Sequence, residues 1–263
     1  LTEPDVGGDL ASVTTAARRT SDGDDVIING TKRWCTGAGF ADYIITLCNS
    51  DPDGKRYRNL TMVLVPTDTP GITIENIDHM GLRYAPSTDV IFNDVKVSAT
   101  NILGGPDAWN DGWRRLAGPS LDIEKLEITA CALGIAEAAV ADAWQYAQER
   151  VQFGRPISGH QAIRHDLADV QTDLQACRHM LYHAAWLANE GKPCSVEASM
   201  AKLFIAERGV SIVQRCQKIM GAYGCSPEYD MERYMRDMLL MPIVGGSSNM
   251  QRNNIAARLK LAE

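Results

Sequence analysis

Two histidines, His179 and His183, stand four residues apart in a stretch of helical periodicity, which puts both imidazoles on one face in the geometry of a metal pair. No HExxH glutamate accompanies them, no third ligand is evident, and Tyr182 and Trp186 beside them point to bundle packing. Cysteines at 35, 48, 131, 177, 194, 216 and 225 include no CxxC. That is a pattern of free thiols in a reducing compartment, with Cys177 in a core. No P-loop or GxGxxG occurs, so no Rossmann domain is expected. What remains is one carboxylate context and several turns. Glu124, in Leu121-Asp122-Ile123-Glu124-Lys125-Leu126, shares a helical face with Leu121, Glu127 and Ile128, a mixed stripe that leaves its burial open. The glycine-rich turn within residues 1–9 lets backbone N–H groups approach a ring or a phosphate. Trp34 offers a large flat face, Arg150 a set of fixed donors, and Gly246-Ser247-Ser248-Asn249 a helix N-cap.

The elements that must position these groups change character along the chain. Residues 26–30, 42–48, 62–66, 72–74, 90–92 and 95–97 read as short strands, with turns expected at Asn29-Gly30 and Asn93-Asp94 and a polar loop over 50–55. Beyond Gly104-Gly105-Pro106 the chain becomes rich in Ala, Leu, Glu and Gln, with helices expected at about 109–150, 160–190, 195–222, 230–240 and 247–261. The expected fold is α+β: a β-barrel or sandwich over 1–105, then an antiparallel helical bundle over 106–263. At 263 residues with 45% hydrophobic and 22% charged content, the chain is long enough for one large or two modest domains without disulfide or metal staples. Its net charge of −7 argues against a general nucleic-acid or anionic-membrane binder. No apolar run approaches the roughly 20 residues of a membrane helix.

Six separated motifs together resemble the acyl-CoA dehydrogenase family of flavoproteins, over the chain from residue 1 to about 260. Leu1-Thr2-Glu3-Pro4-Asp5-Val6-Gly7-Gly8-Asp9 is similar to a family segment that lies along the flavin, with Gly8 where serine is usual. Ile28 to Gly37, containing Trp34, Cys35 and Thr36, resembles a strand–loop whose Trp stacks near the isoalloxazine and whose Thr bonds its N5 edge. Met80 to Arg83 followed by 89–97 resembles a scaffold strand pair, with Arg83 structural. Arg150-Val151-Gln152-Phe153-Gly154-Arg155, with His160 and Gln161, resembles a turn that reaches the FAD of a neighbouring subunit. Gln217 to Gly224, including Gly221, resembles a segment whose backbone meets that same FAD, with Ala222 in place of a second glycine. Gly246-Ser247-Ser248-Asn249-Met250-Gln251-Arg252 resembles a flavin-contacting segment, Ser247 and Asn249 keeping a hydroxyl and an amide.

In many members of the family a glutamate base stands immediately before this last segment; here that position is Gly245. Isovaleryl- and long-chain-type members carry the base on the first long helix of the bundle, in a context that Glu124 matches. The resemblance implies that Glu124 removes the α-proton of an acyl-CoA thioester, while the Gly245 backbone N–H and an FAD hydroxyl bind the thioester oxygen. Asp122 and Lys125 match a stretch near CoA. The implied activity is formation of a trans-2-enoyl-CoA in fatty acid metabolism, with electrons leaving through an electron-transfer flavoprotein. The implied assembly is a homotetramer (a dimer of dimers) or a hetero-oligomer with a paralogue. The alternatives are a monooxygenase-type flavoenzyme of the same fold and a catalytically silent partner subunit. The start at Leu1 suggests that the family's N-terminal helical domain lies upstream. The expected compartment is the cytoplasm in a bacterium or the mitochondrial matrix in a eukaryote.

Overall fold

The protein is described by a computed structural model covering residues 1–260, so the final expected helical residue, 261, lies outside the described residues. Internal contacts divide the chain into two compact units, Leu1–Gly118 and Pro119–Glu263. The division falls later than 105 because residues 106–118 pack with the strands: Asp111 bridges Leu60, and the short helix α1 (Gly112–Leu116) lies on the strand that Leu60 begins.

The first unit is a β half-barrel built on one six-stranded sheet. Its strands are β1 (Ala16–Arg19), β2 (Asp25–Lys32), β3 (Tyr43–Asn49), β4 (Leu60–Pro66), β5 (Ile72–Ile77) and β6 (Ser87–Ser98). The order is β4-β3-β1-β2-β6-β5, antiparallel except for one β1–β3 pairing at Ala16 and Asn49. Alternation puts Val26 and Ile28 of β2 and Val90 and Phe92 of β6 into the core with Val63 and Val65. Both expected turns are corrected here. Asn29-Gly30 lies inside β2, and Asn93-Asp94 inside β6, where pairing slips from Ile28–Val95 to Gly30–Phe92. The extra residue is a β-bulge: it shifts the inward phase from 88, 90 and 92 to 95 and 97. Asn29 clamps it, donating from Nδ2 to Asp94 Oδ1 and accepting from Asp94 N, both at 2.9 Å. Edge strand β4 is buried because the following segment covers it: Val63 bridges Ile102, and Asn101 Nδ2 donates to Leu64 O.

The second unit contains α2 (Pro119–Glu149), α3 (Gln161–Asn189), α4 (Ser195–Met220), α5 (Met231–Met238) and α6 (Ser248–Arg258). The expected helix 109–150 begins only at Gly112 and is interrupted after Leu116, where Ala117 is extended and Gly118, at φ 99°, breaks the helical path before α2. Small residues at helical spacing on α2 (Ala132, Ala136, Ala139, Ala143) are buried and let it approach α4, which contributes Ala198, Ala201, Ile205 and Ile212. Between α2 and α3 a two-residue hairpin joins β7 (Val151–Gln152) to β8 (Arg155–Pro156). Phe153 and Gly154 both take positive φ at its tip, 51° and 78°, as a primed turn requires. Among the described residues no helix is long and apolar enough to cross a membrane.

Candidate active site

In the β-unit, the two N-terminal motifs are joined by charges they bury together. Lys32 Nζ, at the end of β2, donates to Glu3 Oε1 at 2.8 Å and to Leu1 O at 3.1 Å. Glu3 also accepts from Thr14 N, Thr14 Oγ1 and Thr15 N at 2.7–2.8 Å. Burial opposes ionisation of Glu3, but the hydrogen bonds from Lys32, Thr15 and Thr14 outweigh it and hold the carboxyl at about 2. Arg33 N donates to Thr2 O. The segment bearing Leu1 and Thr2 is thus tied to the strand that delivers Trp34, whereas Gly7 and Gly8 lie in an exposed bend.

Trp34 has φ 61°, is 51% exposed, and carries the Arg33 guanidinium 5.3 Å from its ring centroid. Cys35 turns the other way, packing on the core and exchanging backbone hydrogen bonds with Thr88. The Thr36 hydroxyl is exposed and 3.1 Å from Ser87 Oγ. Arg83 Nε donates to His79 O. Glu3 and Lys32 were not singled out from the sequence. The available signal was an acid and a lysine, each inside one of the two motifs.

In the helical unit, Glu124 lies in the second turn of α2, half-buried, and among the described residues no side chain or backbone group hydrogen-bonds or ion-pairs with its carboxylate. Burial pushes its pKa up, the exposed Glu127 carboxylate adds to the shift, and Lys125 opposes it. Lys125 is otherwise engaged: its Nζ donates to Asp122 Oδ1 at 2.9 Å, both side chains are buried, and Ser195 Oγ donates to Asp122 Oδ2. Asp122 and Lys125 therefore fasten the first turns of α2 to the start of α4.

One turn beyond Glu124, Ile128 occupies the space beside Gly245. Gly245 has φ 60°, and a Cβ built on it would overlap the Ile128 Cδ1 methyl. A side chain at 245 requires both left-handed backbone and displacement of that methyl. Gln251 Nε2 donates to Gly246 O at 2.9 Å and to Gly245 O at 3.4 Å, and Ser247 caps α6 through Met250 N. Asn249 is exposed. The Ser248 Oγ and Gln251 Oε1 atoms are buried without a partner.

The hairpin residues gather at the far end of α2. The Arg150 guanidinium lies 5.7 Å from the centroid of Tyr223, which belongs to the turn after α4. Gln217 Nε2 holds that turn through Gly224 O at 3.0 Å, and Gly221 caps α4 with φ 61°. His160 sits 3.2 Å from Gln152 O and edge-on to Phe153, which is 94% exposed. Gln161 Nε2 lies 3.4 Å from His165 Nε2. Thus the 150–161 and 217–224 motifs are brought together at one end of the helical unit. Glu124 and Gly245 adjoin through Ile128.

His183 stacks with Trp186, and His179 lies 3.0 Å from Gln175 Nε2. No cluster of three or more metal-ligating side chains exists among the described residues. All seven cysteines are free. Burial lifts the Cys48 and Cys216 thiols to about 12, which marks them as packing groups.

A half-barrel followed by a long-helix unit, with these turns and carboxylates, defines a flavoprotein dehydrogenase architecture. Residues 1–95 match the acyl-CoA dehydrogenase middle domain and residues 110–260 its C-terminal domain; the chain belongs to this family of FAD-dependent oxidoreductases acting on CH–CH groups. It is 40% identical over 262 residues to the probable acyl-CoA dehydrogenase YngJ of Bacillus subtilis, covering 98% of this chain and 67% of the relative. It is 36% identical to the cyclohexane-1-carbonyl-CoA dehydrogenase of Syntrophus aciditrophicus, covering 99% of this chain and 66% of that protein. The solved butyryl-CoA dehydrogenase of Megasphaera elsdenii superposes with a TM-score of 0.94 at 36% identity, over 99% of this chain and 67% of that one. The chain spans about two thirds of the length of these relatives.

Proposed function

We propose that this chain carries the proton-abstracting and flavin-facing parts of an acyl-CoA dehydrogenase that converts an acyl-CoA thioester to a trans-2-enoyl-CoA, with Glu124 as the base. The observation that carries this reading is the pairing of two facts within one unit. The carboxylate of Glu124 is half-buried, unpartnered and raised in pKa, while the alternative address for a base, residue 245, is a glycine whose side-chain space belongs to Ile128. A carboxylate without a cation or donor to satisfy it is a stronger base than a solvated one, and bound acyl chain would desolvate it further.

In this reading Glu124 takes the α-proton. The developing negative charge on the thioester oxygen is met by the Gly245 backbone N–H, which needs no side chain. Bound FAD supplies the hydride acceptor for the β-carbon. The donor set fits that group. Trp34 offers an exposed aromatic face and Thr36 an exposed hydroxyl, while Arg150 presents a fixed fork suited to a pyrophosphate. Leu1, Thr2, Gly7 and Gly8 would serve the flavin from the β-unit, and Gly246, Ser247 and Asn249 from the start of α6, whereas Cys35, packed on the core, would only support Trp34 and Thr36. The exposed hairpin with Gln152, Phe153, His160 and Gln161, and the turn with Gln217 and Gly221, would serve the FAD of a second copy, making the protein at least a dimer.

Asp122 and Lys125 are engaged with each other and with Ser195. Contact with CoA would have to replace that pair, so we read them chiefly as holding the base-bearing turn. Electrons would pass to an electron-transfer flavoprotein. A base on the helix is the isovaleryl- and long-chain-type arrangement, and it favours branched or bulky acyl groups.

The test is rapid mixing of the FAD-loaded protein with a panel of straight and branched acyl-CoAs. Glu124→Gln should slow flavin bleaching by about 10³-fold, within the usual span of a lost general base, while flavin stays bound. Near-normal bleaching would remove Glu124 from its role, and the panel identifies the preferred chain.

A further inference from the structure

Lys202 is 1% exposed in the middle of α4, among Ala198, Ala201, Ile205 and Ala206 on the buried face of the helix. Among the described residues no carboxylate pairs with it. Its recorded partner is one backbone oxygen, Met241 O, at 2.7 Å. Burial alone pulls its pKa down to about 8. Placing an ammonium there is costly, and a methionine of similar length would pack without that cost. The single bond falls on the segment that links α5 to α6, four residues before Gly245.

That segment is irregular, and it is gripped by its carbonyls. Lys202 holds Met241 O, Gln251 holds Gly245 O and Gly246 O, and Ser248 N donates to Pro242 O at 2.9 Å. Among the described residues, nothing accepts the N–H of Gly245 or Gly246. The amides of Met241, Ile243 and Val244 are engaged by Met238 O and Leu240 O, so among the described residues the open donors of the segment are those of Gly245 and Gly246, whose own carbonyls are held by Gln251; donors fixed before reaction need no reorganisation during it.

We infer that Lys202 is a positioning residue: through Met241 O it fixes the 241–246 segment so that the Gly245 N–H stands ready for a thioester oxygen. The inference rests on the proposed role of that N–H. Lys202 itself touches neither substrate nor flavin in this account.

The test uses an acyl-CoA analogue with sulfur at the β-position. It can lose its α-proton to give an enolate but has no β-hydride to transfer, so the long-wavelength absorbance of the enolate beside the flavin reads oxyanion stabilisation alone. In FAD-loaded protein, Lys202→Met should lower the enolate fraction at saturation by about tenfold to a hundredfold, the scale of a small misplacement, with analogue affinity changed far less. Lys202→Gln, which restores a donor, should recover part of the loss. Amide hydrogen exchange should quicken in 241–247 of the Met variant and stay unchanged in α4.

A Met variant with normal enolate formation, or Met and Gln variants equally impaired with exchange raised throughout α4, would overturn the inference. If the Met variant does not fold, Gln251→Met removes the second grip and should depress enolate formation in the same way; unchanged enolate there would equally overturn it. Glu124→Gln run alongside separates the two claims. Enolate persisting in that variant refutes the base. Enolate lost there but intact with Lys202 replaced refutes only the positioning role.

Discussion

The two units bury charge in opposite ways. In the β-unit, Glu3 and Lys32 are both nearly inaccessible, and each satisfies the other; Glu3 is held at about 2 and stays ionised across the physiological range. In the helical unit, Glu124 has no partner and is pushed up, and Lys202 has one carbonyl and is pulled down to about 8. A compensated pair fastens two chain segments and resists titration. An uncompensated buried group is destabilising.

The sharpest way to break this contrast is to remove one half of the compensated pair. Glu3→Gln should cost about 3–5 kcal/mol in thermal or denaturant unfolding, because Lys32 is left buried without its anion. The pH dependence carries a definite sign. Glu3 is lowered from its ordinary 4.5 to about 2, so its contribution is complete above about 4.5 and is lost as pH falls from there towards 2. Acid unfolding curves of the variant should lack that component.

A smaller effect is expected at the glycine. Gly245→Ala forces a Cβ into left-handed backbone and against Ile128, costing about 1–3 kcal/mol. Pairing it with Ile128→Ala should recover the overlap part, and a double-mutant cycle should give a coupling of about 1 kcal/mol. No coupling would mean that Ile128 does not occupy the space at 245.

Glu124→Gln should move stability the other way. A carboxylate raised by burial penalises the native state above its ordinary pKa, so its amide should unfold at a temperature equal to or up to about 2–4 °C above the parent at neutral pH, the partial exposure of Glu124 limiting the gain. Glu3→Gln and Glu124→Gln, the same chemical change, should therefore carry opposite signs. Smallest of all, Phe153→Ala should leave unfolding within about 0.5 kcal/mol, since the side chain is almost wholly exposed. Size-exclusion and flavin retention would then read its part in a second copy's site.

Much of this organisation was legible in the residues. Apolar alternation and helical periodicity placed five of the six strands and the long helices, and the family motifs pointed to Glu124 and Gly245. What escaped has physical causes. Ala16–Arg19 lacks the β-branched residues that mark a strand, and it becomes one because β2 and β3 lie on either side of it. Asn29-Gly30 and Asn93-Asp94 carry turn composition, yet they face each other across a bulge, a long-range pairing that local chemistry does not encode. The helix expected from 109 begins only at Gly112, after Asn110 at φ 64°, and breaks after Leu116, where Ala117 is extended and Gly118 takes φ 99°. Glu3 and Lys32 are 29 positions apart, and only folding brings them together. Lys202 was the most readable omission: one lysine in a run of small and apolar residues at helical spacing.

The central claim is that the proton acceptor is the carboxylate at 124. The β-sulfur acyl-CoA analogue, held with FAD-loaded protein in deuterated water and followed by proton NMR, measures that step directly. The α-proton signal should be lost with the parent protein and persist with Glu124→Gln; exchange at the parental rate in that variant would contradict a base at 124.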